Sequence, residues 1–254
     1  MDILNLEDLS VEIACKRILN HVDLAVPKGK VHVLLGPNGS GKTSLIQTIL
    51  GFSNCKVVSG KIWFDGVDIT NMPINERAKL GIGIAFQNPP AIRGVKLGHI
   101  VHSFLGGKDR ASGREIRLAR AVNFPIEFLD RDLNLGFSGG EIKRSEILQV
   151  LAQRPKFAIL DEPDSGVDVE NLEVLGKAIN NFLEGRSGLI VTHLGHILNY
   201  VKTDVAHVLI SGRVACSGKS TKVLSQILKE GYRWCERCLR EKEVEKCREK
   251  RRKR

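Results

Sequence analysis

The chain has 254 residues, 42% of them hydrophobic and 27% charged, with a formal net charge of +10. That length fits one large α/β domain or one domain carrying an inserted lobe, and no apolar run approaches the roughly 18 residues that a membrane-spanning helix requires, so direct membrane insertion is excluded. The positive charge resembles a nucleic-acid signal only until it is located: residues 236–254 hold ten Lys or Arg against five Glu, so this stretch alone supplies +5 and the body is mildly basic.

No nucleic-acid partner is therefore expected. The acidic start, with Asp2, Glu7 and Asp8, lacks the basic flank of a secretory signal, and the chain reads as cytoplasmic. Six cysteines (Cys15, Cys55, Cys216, Cys235, Cys238 and Cys247) are too sparse for a disulfide scaffold and are expected to be mostly reduced.

In chain order, residues 3–6 and 22–26 alternate apolar and polar positions and predict antiparallel strands, with Pro27, Lys28 and Gly29 as a turn. Residues 31–35 are continuously apolar, as in a buried strand, and residues 44–50 predict a helix stopped by Gly51. Residues 60–69 contain the Asp65-Gly66 pair of a hairpin beside the first strands. From about residue 88 to 135 the β signal fades and segments such as 112–122 read as helical, predicting an inserted helical lobe. Thereafter apolar strands at 157–160, 189–191 and 206–210 alternate with helices at 141–152 and 169–183, the pattern of a parallel sheet. No internal repeat is present, and beyond Gly231 the charge-dense tail predicts a frayed helix or a disordered end.

Chemistry enters between the buried strand and its helix. Gly36, Pro37, Asn38, Gly39, Ser40, Gly41, Lys42 and Thr43 satisfy the phosphate-loop pattern, and with the following Ser44 they form the candidate ATP-binding set. Glycines let successive N–H groups turn toward phosphate oxygens, and the helix adds its positive end. Lys42 is expected on the β- and γ-phosphates and Thr43 on magnesium. Residues 157–162 form an apolar strand ending in Asp161 and Glu162, which places Asp161 at the carboxyl edge of a sheet as a magnesium partner and Glu162 beside it as the base for the attacking water. A glycine-rich turn or a strand ending in Asp-Glu is commonplace alone; the two together define a site.

Three further motifs, in the same order along the chain, make it similar to the ATP-binding-cassette family. Phe137-Ser138-Gly139-Gly140-Glu141 resembles the family's signature sequence, which implies that Ser138, Gly139 and Gly140 meet the ATP of a second protomer. Gln87, after residues 82–86, matches the glutamine loop that senses magnesium and couples to partners, and His193, after residues 189–192, matches the switch histidine. The implied catalytic set is Glu162, His193 and Gln87, with Thr43, Gln87 and Asp161 on magnesium. Residues 165–168, with Ser165 and Asp168, resemble the loop that crosses the dimer interface. The implied fold is an α/β nucleotide-binding domain with a RecA-like phosphate-loop core, an antiparallel β subdomain and an inserted α-helical subdomain, spanning 1–232, with 233–254 as a charged tail. Residues 11–16 offer no aromatic side chain for adenine, so Val11 or Ile13 is the implied apolar contact.

Residues 85–90, 137–144, 161–168 and 231–234 further resemble the SufC-type ATPases of the Suf iron–sulfur assembly system, in which Glu141 stands where transporter cassettes commonly carry Gln. The resemblance implies Mg2+ with ATP as cofactor, ATP-dependent homodimerisation, and docking on a SufB/SufD-type scaffold. The alternative is a transporter subunit that works with a separate membrane permease. Cassettes of DNA repair or translation, with coiled-coil insertions or tandem domains, fit less well. In the tail, Cys235, Cys238 and Cys247 have partial metal-ligand spacing, but no fourth ligand is near and the surrounding charges favour a solvated helix.

Overall fold

A computed structural model describes residues 1–106, 113–193 and 195–239. The elements are β1 (Asp2–Ile13), β2 (Lys16–Pro27), β3 (Val31–Leu35), α1 (Lys42–Leu50), β4 (Lys56–Phe64), β5 (Val67–Asp68), α2 (Ile74–Leu80), β6 (Ile82–Ala85) and β7 (Ile92–Lys96). There follow α3 (Leu97–Phe104), α4 (Arg114–Ala121), β8 (Asp132–Leu133), α5 (Gly139–Gln153), β9 (Phe157–Asp161), α6 (Val169–Leu183), β10 (Ser187–Val191), β11 (Val205–Ile210), β12 (Arg213–Lys219) and α7 (Ser220–Glu230). The chain divides into two compact units, one of Met1–Lys28, His32–Arg77 and the residues from Thr203 onward, the other of Gly29–Val31 and Ala78–Lys202.

In the first unit, β1 lies between β2 and β4, antiparallel to both, and β5 closes the order β2-β1-β4-β5. Asp65 and Gly66 both take positive φ, as a two-residue hairpin turn requires. Leu4, Leu6, Leu9, Leu19, Ile62 and Phe64 form its fully buried face. Beside it, β11 runs parallel to β3 and antiparallel to β12. Sequence reading missed β12; its hairpin is made by Ser211 and Gly212, both at positive φ.

Helix α1 buries Leu45, Ile46, Ile49 and Leu50, each contributing about 2 kcal/mol relative to exposure. Its end is held by a buried cation. Arg77 donates to the carbonyls of Thr48 and Ile49, both at 2.8 Å, of Met72 at 2.7 Å and of Thr70 at 3.0 Å, and burial pulls its pKa down to about 10. Without this guanidinium all four carbonyls would lose a donor, and of them Thr48 would keep the Gly51 N–H, at 3.2 Å.

In the second unit, β9 lies between β10 and β6, parallel to both. All five residues of β9 and of β10 are buried, which explains the apolar runs 157–160 and 189–191 within them. The predicted lobe holds α3 and α4 but also the β7–β8 pair, which corrects the expectation that residues 88–135 lose β structure. Gly94 at φ +77° bends β7, and Arg93 and Lys96 interrupt the apolar pattern by which a strand is recognised. Residue 112, the predicted start of the lobe's helix, lies outside the described residues; the helix there is α4, and α6 has the bounds expected from sequence.

Candidate functional site

The loop between β3 and α1 is dictated by close approach. A Cβ on Gly36 would stand 2.3 Å from the Leu209 carbonyl oxygen and 2.7 Å from Ser40 Oγ, and Gly41 holds φ +105° at the start of α1; glycine alone tolerates both demands. Lys42 is buried, with Nζ donating to the carbonyls of Gly36 (2.8 Å) and Pro37 (3.1 Å), so its ammonium is folded over its own loop.

No side chain caps α1 and no acid occupies its first turn, so its leading N–H groups keep their positive potential. Ser40 Oγ is buried and has no hydrogen-bond partner among the described residues. A phosphate oxygen would satisfy both features at once. Asn38, Gly39 and Thr43 are exposed, Pro37 and Ser44 half-buried.

The second unit gathers the carboxylate, the glutamine and the histidine expected from sequence. Asp161 ends β9, and the chain turns at Glu162, whose φ of +47° is unusual for a side chain of this size. The turn is held by the Glu162 N–H donating to the Val191 carbonyl at 2.8 Å. One carboxylate oxygen of Glu162 accepts from Gln87 Nε2 at 2.6 Å, and the other lies 2.9 Å from His193 Nδ1. Glu162 and Asp161 are buried, while His193 is about one-third exposed.

Two residues of α5 that sequence reading did not single out hold the glutamine loop in place. Lys143, 5% exposed, donates to the carbonyls of Phe86 (3.1 Å), Gln87 (2.7 Å) and Asp161 (3.5 Å). Three residues on, Glu146 accepts from the Phe86 N–H at 3.0 Å. Burial pulls the Lys143 pKa down and pushes that of Glu146 up, and Asp161 is the largest charge opposing the shift at Lys143. Their sequence signal was a pair of opposite charges at i and i+3 on a helix, a pattern shared with any solvated face.

The signature segment opens α5 by a closed capping box. Ser138 Oγ accepts from the Glu141 N–H at 3.4 Å, and the Glu141 carboxylate accepts from the Ser138 N–H at 2.7 Å. The backbone hydrogen bond from Ser138 holds the Glu141 carboxyl below its usual range. Ser138 and Gly139 are exposed, and a Cβ on Gly140 would lie 3.3 Å from the Gly166 carbonyl, so the signature and the 165–168 loop run close together. Asp168 caps α6 by accepting from the Asn171 N–H at 2.9 Å; Ser165 is exposed. Arg144 braces this region by donating to Gly140, Asn123 and Asn171.

Magnesium prefers hard oxygen donors. In the first unit the Thr43 hydroxyl, and in the second the Asp161 carboxylate and the Gln87 amide oxygen, are each donors of that kind, and the orphaned Ser40 hydroxyl fits a phosphate oxygen. Among the described residues no three His, Cys, Asp or Glu side chains are grouped to hold a metal. Cys235 is buried against Cys216 instead of lying on a solvated helix, which corrects the reading of that segment, and Cys247 lies outside the described residues. Of the two apolar candidates for adenine, Val11 is fully buried and belongs to the core, whereas Ile13 is partly exposed.

The ABC transporter family model matches residues 19–165, more than half of the chain, and the chain belongs to this ATP-binding-cassette family of ATPases. Within it the sequence is SufC-like. It is 38% identical over 243 residues to "Probable ATP-dependent transporter SufC" of Escherichia coli strain K12, covering 91% of this chain and 98% of that protein. It is 41% identical over 242 residues to "Vegetative protein 296" of Bacillus subtilis strain 168, covering 91% and 92%.

Solved structures show the same fold. One is an ATP-binding subunit of an ABC transporter (TM-score 0.74, 23% identity, 92% and 99% of the two chains covered). Another is an ATP-binding cassette in a dimeric post-hydrolysis state with ADP and Pi (TM-score 0.72, 21% identity, 85% and 98% covered). Among the described residues no helix is long and apolar enough to cross a membrane.

Proposed function

We propose that this chain binds and hydrolyses ATP as a homodimer that reshapes a SufB/SufD-type scaffold in the cytoplasm during iron–sulfur cluster assembly. The near full-length likeness to the E. coli SufC protein carries the assignment to this process. The pairing of Glu162 with Gln87 and His193 supports the chemistry.

In this reading the N–H groups of residues 36–43, Lys42 and the Ser40 hydroxyl bind the phosphates. Thr43, Asp161 and Gln87 would hold Mg2+, which would supply neutralisation of phosphate charge. Glu162 accepts a proton from the attacking water, and His193 keeps that carboxylate aimed. Ser138, Gly139 and Gly140 of a second copy cover the γ-phosphate, with Ser165 and Asp168 at the contact. ATP that bridges loop and signature binds the closed pair better than the open one, and that differential affinity is the work available to a scaffold.

Glu162→Gln tests the mechanism. ATP binding should persist, turnover should fall by about 10²–10⁴-fold, and a dimer should accumulate on a sizing column coupled to light scattering. A monomeric ATP-loaded variant, with scaffold present, sinks the reading.

A second reading draws on the word "transporter" in the names of several relatives: the chain serves as the ATPase subunit of a separate permease. Affinity capture from native extract with mass-spectrometric identification separates the two, since one predicts a soluble scaffold and the other a polytopic membrane protein.

A further inference from the structure

The helical residues 233–239 bring the C-terminal segment against β12. Cys235 is fully buried there, and its Sγ lies 3.6 Å from that of the half-buried Cys216. Both are thiols. The same segment touches the phosphate loop: Tyr232, three residues earlier, is hydrogen-bonded to the backbone of Gly36. The Glu236 N–H donates to the Tyr232 carbonyl at 3.1 Å, so Tyr232 and Cys235 move as one turn of helix.

A disulfide places its sulfurs about 2.05 Å apart. The two thiols are thus already neighbours, on elements separated in sequence by α7 and the turn at Gly231. Cys238 follows one turn later and is half-buried, and Cys235-x-x-Cys238 is a competing pair by spacing alone.

We infer that Cys216 and Cys235 form an oxidative modification site, a thiol pair that reacts with a low-molecular-weight disulfide and closes to a reversible internal disulfide docking the C-terminal segment on β12. The Cys216 thiolate, the more exposed of the two, attacks one sulfur of the small disulfide and displaces one small thiolate, which takes up a proton. Cys235 then gives up its proton and attacks Cys216 Sγ; the internal S–S bond forms, the mixed disulfide breaks, and the second small thiolate leaves and is protonated. Two protein thiols lose two electrons, and one small disulfide becomes two small thiols. The hydrogen bond to Cys216, together with burial, pushes the Cys235 thiol up, so Cys235 acts second, once its target is already beside it. The product fastens Tyr232, and through it the backbone of Gly36, to a strand of the same unit.

The test uses the native full chain, oxidised glutathione as the probe, alkylation of the remaining thiols and non-reducing peptide mapping. The expected result is a Cys216–Cys235 crosslinked peptide, a mass loss of two hydrogens, and reversal by dithiothreitol. Tryptic cleavage at Arg233 and Arg237 should slow at least about tenfold, because the crosslink removes the undocked ensemble. In Cys216→Ser, oxidant should leave that cleavage rate unchanged. Cys235→Ala, with its thermal transition recorded to show that it folds, should behave alike. A Cys235–Cys238 crosslink in the wild type, glutathione retained on Cys216 without closure, or thiols that react only in denaturant would each overturn the inference.

Discussion

Helices α1 and α5 both begin in glycine-rich sequence, and they dispose of their leading N–H groups in opposite ways. Helix α1 starts on Gly41 at positive φ, with no capping side chain and no acid in its first turn. Helix α5 starts on Ser138 and closes a capping box with Glu141. The first leaves its positive end for an external anion; the second already carries an anion of its own. Glycine content and helix position therefore do not by themselves define a phosphate site. What distinguishes the two is the presence of a local oxygen able to reach the N–H groups first.

The largest effect should come from the open terminus. Lys42→Ala should weaken ATP binding by about 100-fold or more, since a charge-assisted phosphate contact from a buried lysine is lost, measured by isothermal titration. A dissociation constant within threefold of wild type would mean that α1 is no more an anion site than α5. Next, Ser138→Ala should cost about 1 kcal/mol of stability, read from the urea midpoint, with ATP affinity of the monomer unchanged.

Glu141→Gln removes the internal charge and keeps the hydrogen-bonding shape. It should tighten ATP-dependent dimerisation about two- to fivefold, followed by sedimentation; an unchanged or weaker dimer would show that this carboxylate does not oppose an incoming phosphate. The smallest effect concerns acid. The Glu141 carboxyl is held below its usual range in the folded chain, so its contribution to stability is complete above the unfolded value of about 4.3 and is lost as pH falls through the folded value. Below about pH 4 the wild type should therefore lose more of its urea midpoint than Glu141→Gln does.

Sequence made the parallel strands legible because burial on both faces leaves apolar runs, 157–160 in β9 and 189–191 in β10. It made the phosphate loop legible because the close approach of Gly36 to Leu209 and the φ of Gly41 admit only glycine. It did not disclose β7, whose five residues are all exposed and carry no alternation. Nor did it disclose Lys143 and Glu146, because a buried charge that bonds a loop is written with the same letters as one that faces water. Cys235 was hidden for a related reason: Arg233, Glu236 and Arg237 around it are charged, and only the fold shows that it points at β12.

The Glu162 carboxylate is bonded at one oxygen to Gln87 and at the other to His193, and each of those residues follows a different strand. Each oxygen retains a second lone pair, so the group can still meet water, but its aim is no longer its own. It behaves as a summing junction: a displacement of either strand's end turns the same carboxylate, and neither input can be read from it separately. A variant that disturbs one loop should therefore mimic a disturbance of the other, and double substitutions at Gln87 and His193 should fall short of the sum of the single losses.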